Sequence, residues 1–148
     1  SGQKTLVKDT QIEYATAWQD KHWRTIVSAY NSSPFFEYYR DDFQPFYEKK
    51  HKYLFEFNSQ LNQLIIELLE LDAECISTSD YLKDFNGEDL RSLILPRKEA
   101  TDTEFIAQPY TQLFNERFGF VPNLSVIDLL FNVGPEAGMI LEECYVKS

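Results

Sequence analysis

An apolar stripe in the middle of the chain constrains its fold more than any other feature. Apolar residues recur there in alternating steps of three and four, the spacing that places side chains on one face of an α-helix. The stripe consists of Leu54, Phe57, Leu61, Leu64, Leu68 and Leu71. It predicts a long central helix over about residues 45–71, which is roughly six or seven turns at the usual pitch. Further apolar residues widen the stripe, so we expect other helices to cover more than one side of it.

Weaker patterns flank this helix. Thr16 and Gln19 form a capping-box pattern before an amphipathic stretch that ends near residue 30. Residues 6–14 alternate loosely between apolar and polar, and residues 75–78 form a second short run typical of a strand. The predicted fold class is therefore α+β, predominantly α-helical with a few short strands.

Capping residues organise the carboxyl-terminal part of the chain. Pro109 is placed to begin a helix, and Gly119 is placed to end it in a left-handed conformation. Ser125 is the expected N-cap of the next helix, which Gly134 and Pro135 terminate. The same Gly134-Pro135 pair begins another helix that runs through Met139 to Cys144.

Charge and composition limit the class of protein. The 148 residues carry a net charge of −10, which would repel nucleic acid and anionic membranes. No apolar segment approaches the length of a membrane span, and the first residues do not resemble a signal peptide. Cys75 and Cys144 do not form a disulfide framework, so we expect reduced thiols in a soluble, cytoplasmic protein.

No strict catalytic motif occurs in the sequence. A Gly-x-Ser-x-Gly nucleophile pattern is missing, and the five glycines form no phosphate-binding cluster. The two histidines, His22 and His51, have no metal-ligand spacing with cysteine or with each other. We therefore expect neither a metal nor a cofactor.

His22 and Arg24 are the first pair of candidate site residues. An imidazole can act as general acid and base near neutral pH, and a guanidinium binds phosphate or carboxylate through a planar fork. The alternative is a structural histidine half buried beside aromatic residues of a helix. His51 lies in the basic run at residues 49–52 and is expected on a solvated helix face.

Asp128 and Asn132 are the second pair. They lie four residues apart, so both project from the same face of the predicted helix. With Glu136 they could line a polar cleft. In the alternative interpretation, Asp128 simply stabilises the amino end of its own helix.

Two long strings resemble a known family. They are WQDKHWRTIVSAY at residues 18–30 and GFVPNLS at residues 119–125, which IDLLFN follows at 127–132. Together with SPFFEYY at residues 33–39, they are similar to the bacterial WbqC-like family. The family pattern begins further upstream, so the resemblance implies a single WbqC-like domain over residues 1–148, incomplete at its amino terminus.

The resemblance implies a role in surface-polysaccharide (O-antigen) biosynthesis. The expected activity is a transferase acting on an activated sugar or glycan precursor, with glycine transfer as one form. In that activity His22 would be the acid/base, Arg24 would bind an anionic group, and Asp128 and Asn132 would orient substrate hydroxyls. The alternative is a non-catalytic sugar-binding or partner module of the same pathway. The expected partner is a small-molecule substrate and not nucleic acid, and a homo-oligomer is compatible with the sequence.

Overall fold

The chain folds as a set of helices. A computed structural model describes residues 5–84, 86–87, 89–92 and 105–145. Its α-helices are α1 (Trp18–Tyr30), α2 (Phe36–Glu48), α3 (Leu54–Leu68), α4 (Asn115–Phe118), α5 (Val126–Val133) and α6 (Ala137–Glu143). Short 3₁₀ segments occur at Val7–Asp9, Leu90–Ser92 and Gly134–Glu136.

The predicted α+β class is wrong, because the described ranges contain no β-sheet. Two isolated antiparallel bridges, Gln11–Tyr53 and Phe105–Tyr145, are the extended pairings found there. Residues 75–78, a predicted strand, are irregular. Alternation of apolar residues is a weak signal, since a strand forms only where a partner strand runs along its length. The amino-terminal segment pairs instead with a short connection between two helices.

The predicted long central helix over about residues 45–71 is also wrong. The chain leaves the helical conformation after Glu48 and re-enters it at Leu54, with extended backbone at Lys49 and Tyr53 (ψ 143° and 134°). The amino-terminal segment forms hydrogen bonds with the backbone of this connection. Thr10 O accepts a hydrogen bond from Leu54 N at 2.9 Å. Lys52 O accepts one from Ile12 N at 3.1 Å. These bonds replace the ones that a continuous helix would make.

Gln19 joins the start of α1 to the end of α2. Its Nε2 donates to the backbone oxygens of Phe46 at 3.0 Å and Lys49 at 2.7 Å. Carbonyl groups at the end of a helix lack donors within it, so this amide satisfies them. The expected capping box with Thr16 does not form, because Ala17 occupies the N-cap position of α1.

The hydrophobic core is centred on Phe131 of α5, which is completely buried. The rings of Tyr30 from α1 and of Phe36 from α2 approach it edge-on at 5.3 Å. Phe43 approaches at 5.5 Å. The Phe131 carbonyl also accepts a hydrogen bond from Phe35 N at 3.0 Å. Helix α5 is thus fixed to both α1 and α2 through one residue.

The apolar stripe of α3 is covered on one side. Phe57 is buried, while Leu61, Leu64 and Leu68 are half-buried and pack against the core. Phe55, on another face of the helix, stays 40% exposed.

The carboxyl-terminal helices confirm part of the capping pattern. Ser125 occupies the N-cap position of α5, and Gly119 has a positive φ of 68°. The helix predicted from Pro109 is reduced to the single turn of α4, because the side chain of Gln112 binds the backbone of Val121. The Gln112 amide accepts from Val121 N and donates to Val121 O, each at 2.8 Å.

Close packing between α6 and the end of α3 depends on a glycine. A Cβ atom on Gly138 would lie 2.0 Å from the carbonyl oxygen of Leu69. Glu70 then turns the chain with a left-handed φ of 54°, and Leu71 N donates back to Ile66 O at 3.1 Å. The start of α6 therefore packs directly against backbone.

Gly138→Ala tests this contact, because two effects oppose each other. Helix propensity alone would stabilise the variant by about 1 kcal/mol. We expect the clash with the carbonyl oxygen of Leu69 to outweigh this gain and to lower the free energy of unfolding by roughly 1–3 kcal/mol. Chemical denaturation measures the difference. Met139→Ala, at the exposed neighbouring position, should change stability by less than about 0.5 kcal/mol. A stabilised Gly138→Ala variant would contradict the close packing.

Candidate functional site

The structure brings Asp128 and Asn132 together inside the protein. Both side chains are buried, with 6% and 7% of their surface exposed. The Asn132 Nδ2 group donates to the backbone oxygen of Asp128 at 2.7 Å. The Asp128 Oδ2 atom accepts a hydrogen bond from the hydroxyl of Tyr110 at 2.7 Å. Both predicted site residues therefore have internal partners, and Glu136 is exposed in the 3₁₀ segment after α5.

Two tyrosines share the carboxylate of Asp128. Burial, followed by the charge and the hydrogen bond of Asp128, raises the pKa of Tyr30 to about 12. Burial is also the main cause of a raised pKa at Tyr110, where the hydrogen bond and charge of Asp128 act in the same direction and Gln112 opposes them. Both hydroxyls stay protonated at neutral pH and serve as donors. The cluster connects α1, α5 and the segment before α4.

His22 and Arg24 lie elsewhere, exposed on the first half of α1. The imidazole packs edge-on against Trp18, with ring centres 5.3 Å apart. Arg24 lies 3.5 Å from the carboxylate of Asp20, and their side chains are 82% and 70% exposed. A solvated pair of this kind is worth only about 0.3–0.5 kcal/mol. His22 precedes Tyr30 by two helical turns, roughly 12 Å along the axis, so the two predicted pairs are separated.

A groove along the uncovered face of α3 was missed by the sequence analysis. Its volume is about 1340 Å³, and its walls are α3 and the irregular segment 75–81. Leu6, Val7 and Lys8 also line it. His22, Arg24, Asp128 and Asn132 do not line this groove. It is an open surface feature and not a buried chamber.

Neutral polar side chains line the groove together with apolar ones. Helix α3 contributes the side chains of Asn58, Ser59, Gln60, Asn62 and Gln63, and the opposite wall contributes the Ser-Thr-Ser run at 77–79. Asn62 Nδ2 reaches across the groove to the sulfur of Cys75 at 3.1 Å. The signal in the sequence is the group of four amides on α3, namely Asn58, Gln60, Asn62 and Gln63.

An exposed aromatic ring stands in the same wall as the serines. Tyr81 is 80% exposed. The guanidinium of Arg91 lies over its ring at 5.1 Å, and Arg91 is itself fixed by hydrogen bonds to Asp89 and to the carbonyl of Leu82. One face of the Tyr81 ring is therefore supported by a cation. Its edges and remaining surface are open to solvent.

In the ranges that the structure describes, no cluster of three or more His, Cys, Asp or Glu side chains could hold a metal ion. Cys75 is exposed and Cys144 is buried, and both are free thiols. The prediction that they are not bonded to each other is confirmed.

The helices give no indication of a membrane span. Among the residues that the structure describes, none of the helices has both the length and the apolar character that crossing a bilayer requires.

Comparison with known proteins decides the family. The sequence pattern of the WbqC-like protein family matches residues 1–109 and 97–140. The chain belongs to the WbqC-like protein family. The chain is similar to the uncharacterized protein Rv1507c of Mycobacterium tuberculosis (strain ATCC 25618 / H37Rv). It is 29% identical over 168 residues, an alignment that covers 93% of this chain and 70% of the relative. No solved structure matches significantly.

Because Tyr30 and Tyr110 share the carboxylate of Asp128, the stability of the fold should depend on pH in the alkaline range. Tyr30 titrates near its ordinary pKa of 10 in the unfolded chain and at about 12 in the fold. Raising the pH from 10 to 12 therefore favours the unfolded chain. We expect the unfolding free energy to fall across this window, by a smaller amount in Tyr30→Phe and Asp128→Asn than in the parent.

Chemical denaturation at several pH values measures this difference. Tyr81→Phe is the matched control, because Tyr81 is 80% exposed and lies outside the Asp128 cluster, so the decline should match that of the parent. If the unfolding free energy of Tyr30→Phe falls as much as that of the parent, the hydroxyl of Tyr30 is not held protonated by its surroundings.

Proposed function

We propose that this WbqC-like chain binds a glycan or an activated sugar precursor in the groove along α3, as a sugar-binding module of bacterial surface-polysaccharide (O-antigen) biosynthesis in the cytoplasm. The observation that carries the proposal is the lining of the groove. Neutral amides and hydroxyls line both walls, and an exposed tyrosine stands beside them.

Sugars need this combination of groups. Each sugar hydroxyl both donates and accepts hydrogen bonds, and amide side chains such as those of Asn62 and Gln63 offer both functions. The C–H face of a pyranose ring is apolar, so an open aromatic surface such as Tyr81 can cover it. Charged lining residues are few, namely Lys8, Glu67 and Asp80. The hydroxyl groups of a sugar therefore find neutral partners along the groove.

The shape of the groove favours an extended ligand. Pockets for compact small molecules are usually about 300–1,000 Å³ and enclose most of the ligand. This groove of about 1340 Å³ is larger and open along one side. An oligosaccharide, or a sugar joined to a carrier, matches such a site better than a free monosaccharide does.

A transferase is the second candidate, favoured by the exposure of His22 and Arg24. The His22 imidazole could remove a proton from an acceptor amine or hydroxyl, glycine included. Arg24 could exchange its weak contact with Asp20 for a phosphate or carboxylate of the substrate. Asp128 and Asn132 could orient substrate hydroxyls only after releasing their internal partners. That requirement makes transfer chemistry the less direct proposal.

Binding in the groove can be tested with oligosaccharides and nucleotide-sugars by saturation-transfer NMR and calorimetry. We expect Tyr81→Ala to weaken oligosaccharide binding about fivefold, because it removes the aromatic surface, worth about 1 kcal/mol. Asn62→Leu should weaken it by a similar factor, since it removes one donor and one acceptor. Tyr38→Ala is the control, an equally exposed tyrosine that does not line the groove. Unchanged binding in both groove variants would refute the site.

Transfer is tested by turnover with nucleotide-sugars as donors and glycine or sugars as acceptors. If the chain is a transferase, His22→Gln should lower kcat by about 10²–10⁴-fold, the usual contribution of a general acid or base. Arg24→Lys should mainly raise KM for the anionic donor. Lys21→Gln, also exposed on α1, serves as the control. Sugar binding without turnover in the parent would eliminate the transferase and leave the binding module.

A further inference from the structure

A second, smaller cavity lies where α5 and α6 meet the segments at 105–110 and 120–126. Its volume is about 180 Å³. No residue of the groove along α3 lines it. The cavity is partly open to solvent, so a ligand can enter it.

The walls of this cavity are apolar. Leu129 of α5, Ile140 and Leu141 of α6 and the rings of Phe105 and Phe120 contribute most of them, and Gln108 and Asn123 are the lining residues with polar side-chain amides.

The polar atoms beside the cavity are already engaged. The Tyr110 hydroxyl donates to Asp128 Oδ2 at 2.7 Å. Gln108 N donates to the buried sulfur of Cys144 at 3.4 Å, and Gln108 Nε2 donates to Glu143 O at 3.3 Å. A buried water needs two to four polar partners, and apolar cavities of similar size stay dry and bind apolar molecules. The cavity therefore suits a hydrocarbon group better than water.

The mouth of the cavity carries one available amide. Leu124 is 45% exposed, and Asn123 beside it is exposed with a left-handed φ of 56°. Asparagine tolerates this conformation better than most residues. Within the residues that the structure describes, the Asn123 side chain makes no hydrogen bond, so it can bind a polar group held at the entrance.

We propose that this cavity binds the alkyl chain of a short acyl amide, with the amide group hydrogen-bonded to Asn123. A cavity of about 150 Å³ holds one benzene ring, so a cavity of about 180 Å³ takes a chain of six or seven carbon atoms. The site is independent of the sugar-binding groove, and its failure would leave the groove unaffected.

The first experiment measures the affinity of the protein for straight-chain N-methyl alkanamides of about two to ten carbons by calorimetry. Each added CH₂ that enters the cavity should tighten binding about fourfold. We expect this gain to stop at about seven carbons, where the cavity is full. No binding at any length, or a gain that continues through ten carbons, would overturn the proposal, because the latter indicates a flat apolar surface.

The second experiment fills the cavity. Ala107→Leu adds three carbon atoms to its lining and should weaken binding of the six-carbon amide at least tenfold, while the thermal unfolding temperature stays the same or rises. Ala73→Leu is the control, an exposed alanine that does not line the cavity. If Ala107→Leu binds the six-carbon amide as tightly as the parent does, the proposal is overturned.

A third variant tests the entrance of the cavity and leaves the volume of its interior unchanged. Asn123→Gly keeps the left-handed backbone and removes the amide. It should weaken binding of the six-carbon amide several-fold and leave binding of benzene, which has no polar group, unchanged. Equal binding of the amide by the variant and the parent would remove Asn123 from the site.

Discussion

The packing around Phe131 supports the rest of the structure. Its ring contacts Tyr30 and Phe36, and its carbonyl binds Phe35, so one residue of α5 holds both α1 and α2. An aromatic residue buried in this way dominates the energetics of a small core. Since the whole turn from Asp128 to Asn132 is buried with it, the fold must also satisfy two polar side chains far from water.

The buried polar cluster is a consequence of that packing. Asp128 accepts from Tyr110, and Asn132 donates to the Asp128 carbonyl, so neither group is left without a partner. A buried carboxylate would otherwise be costly. The residues predicted to line a cleft thus lie inside the protein, while the open groove lies along α3. Gly138 lets α6 approach the end of α3 and so fixes the position of that helix.

His51 shows how tertiary contacts change the meaning of a local pattern. Its basic neighbours suggested a solvated helix face, yet the residue lies in the extended connection and is half-buried. Its ring stacks on Phe46, with centres 5.9 Å apart, and its backbone N–H donates to the Tyr14 hydroxyl at 2.8 Å. Tyr14 is 37 positions away, a separation that no helical periodicity can detect.

The sequence by itself determined the helical character, the start of α5 at Ser125, the turn at Gly119 and the membership in the WbqC-like family. Each of these depends on neighbouring residues or on long strings that can be compared directly. Only the tertiary structure decided that α2 and α3 are separate and that α3 leaves one face open. The break forms because residues near Thr10 bind the backbone near Leu54. Periodicity within a segment cannot reveal which distant segment will compete for its hydrogen bonds.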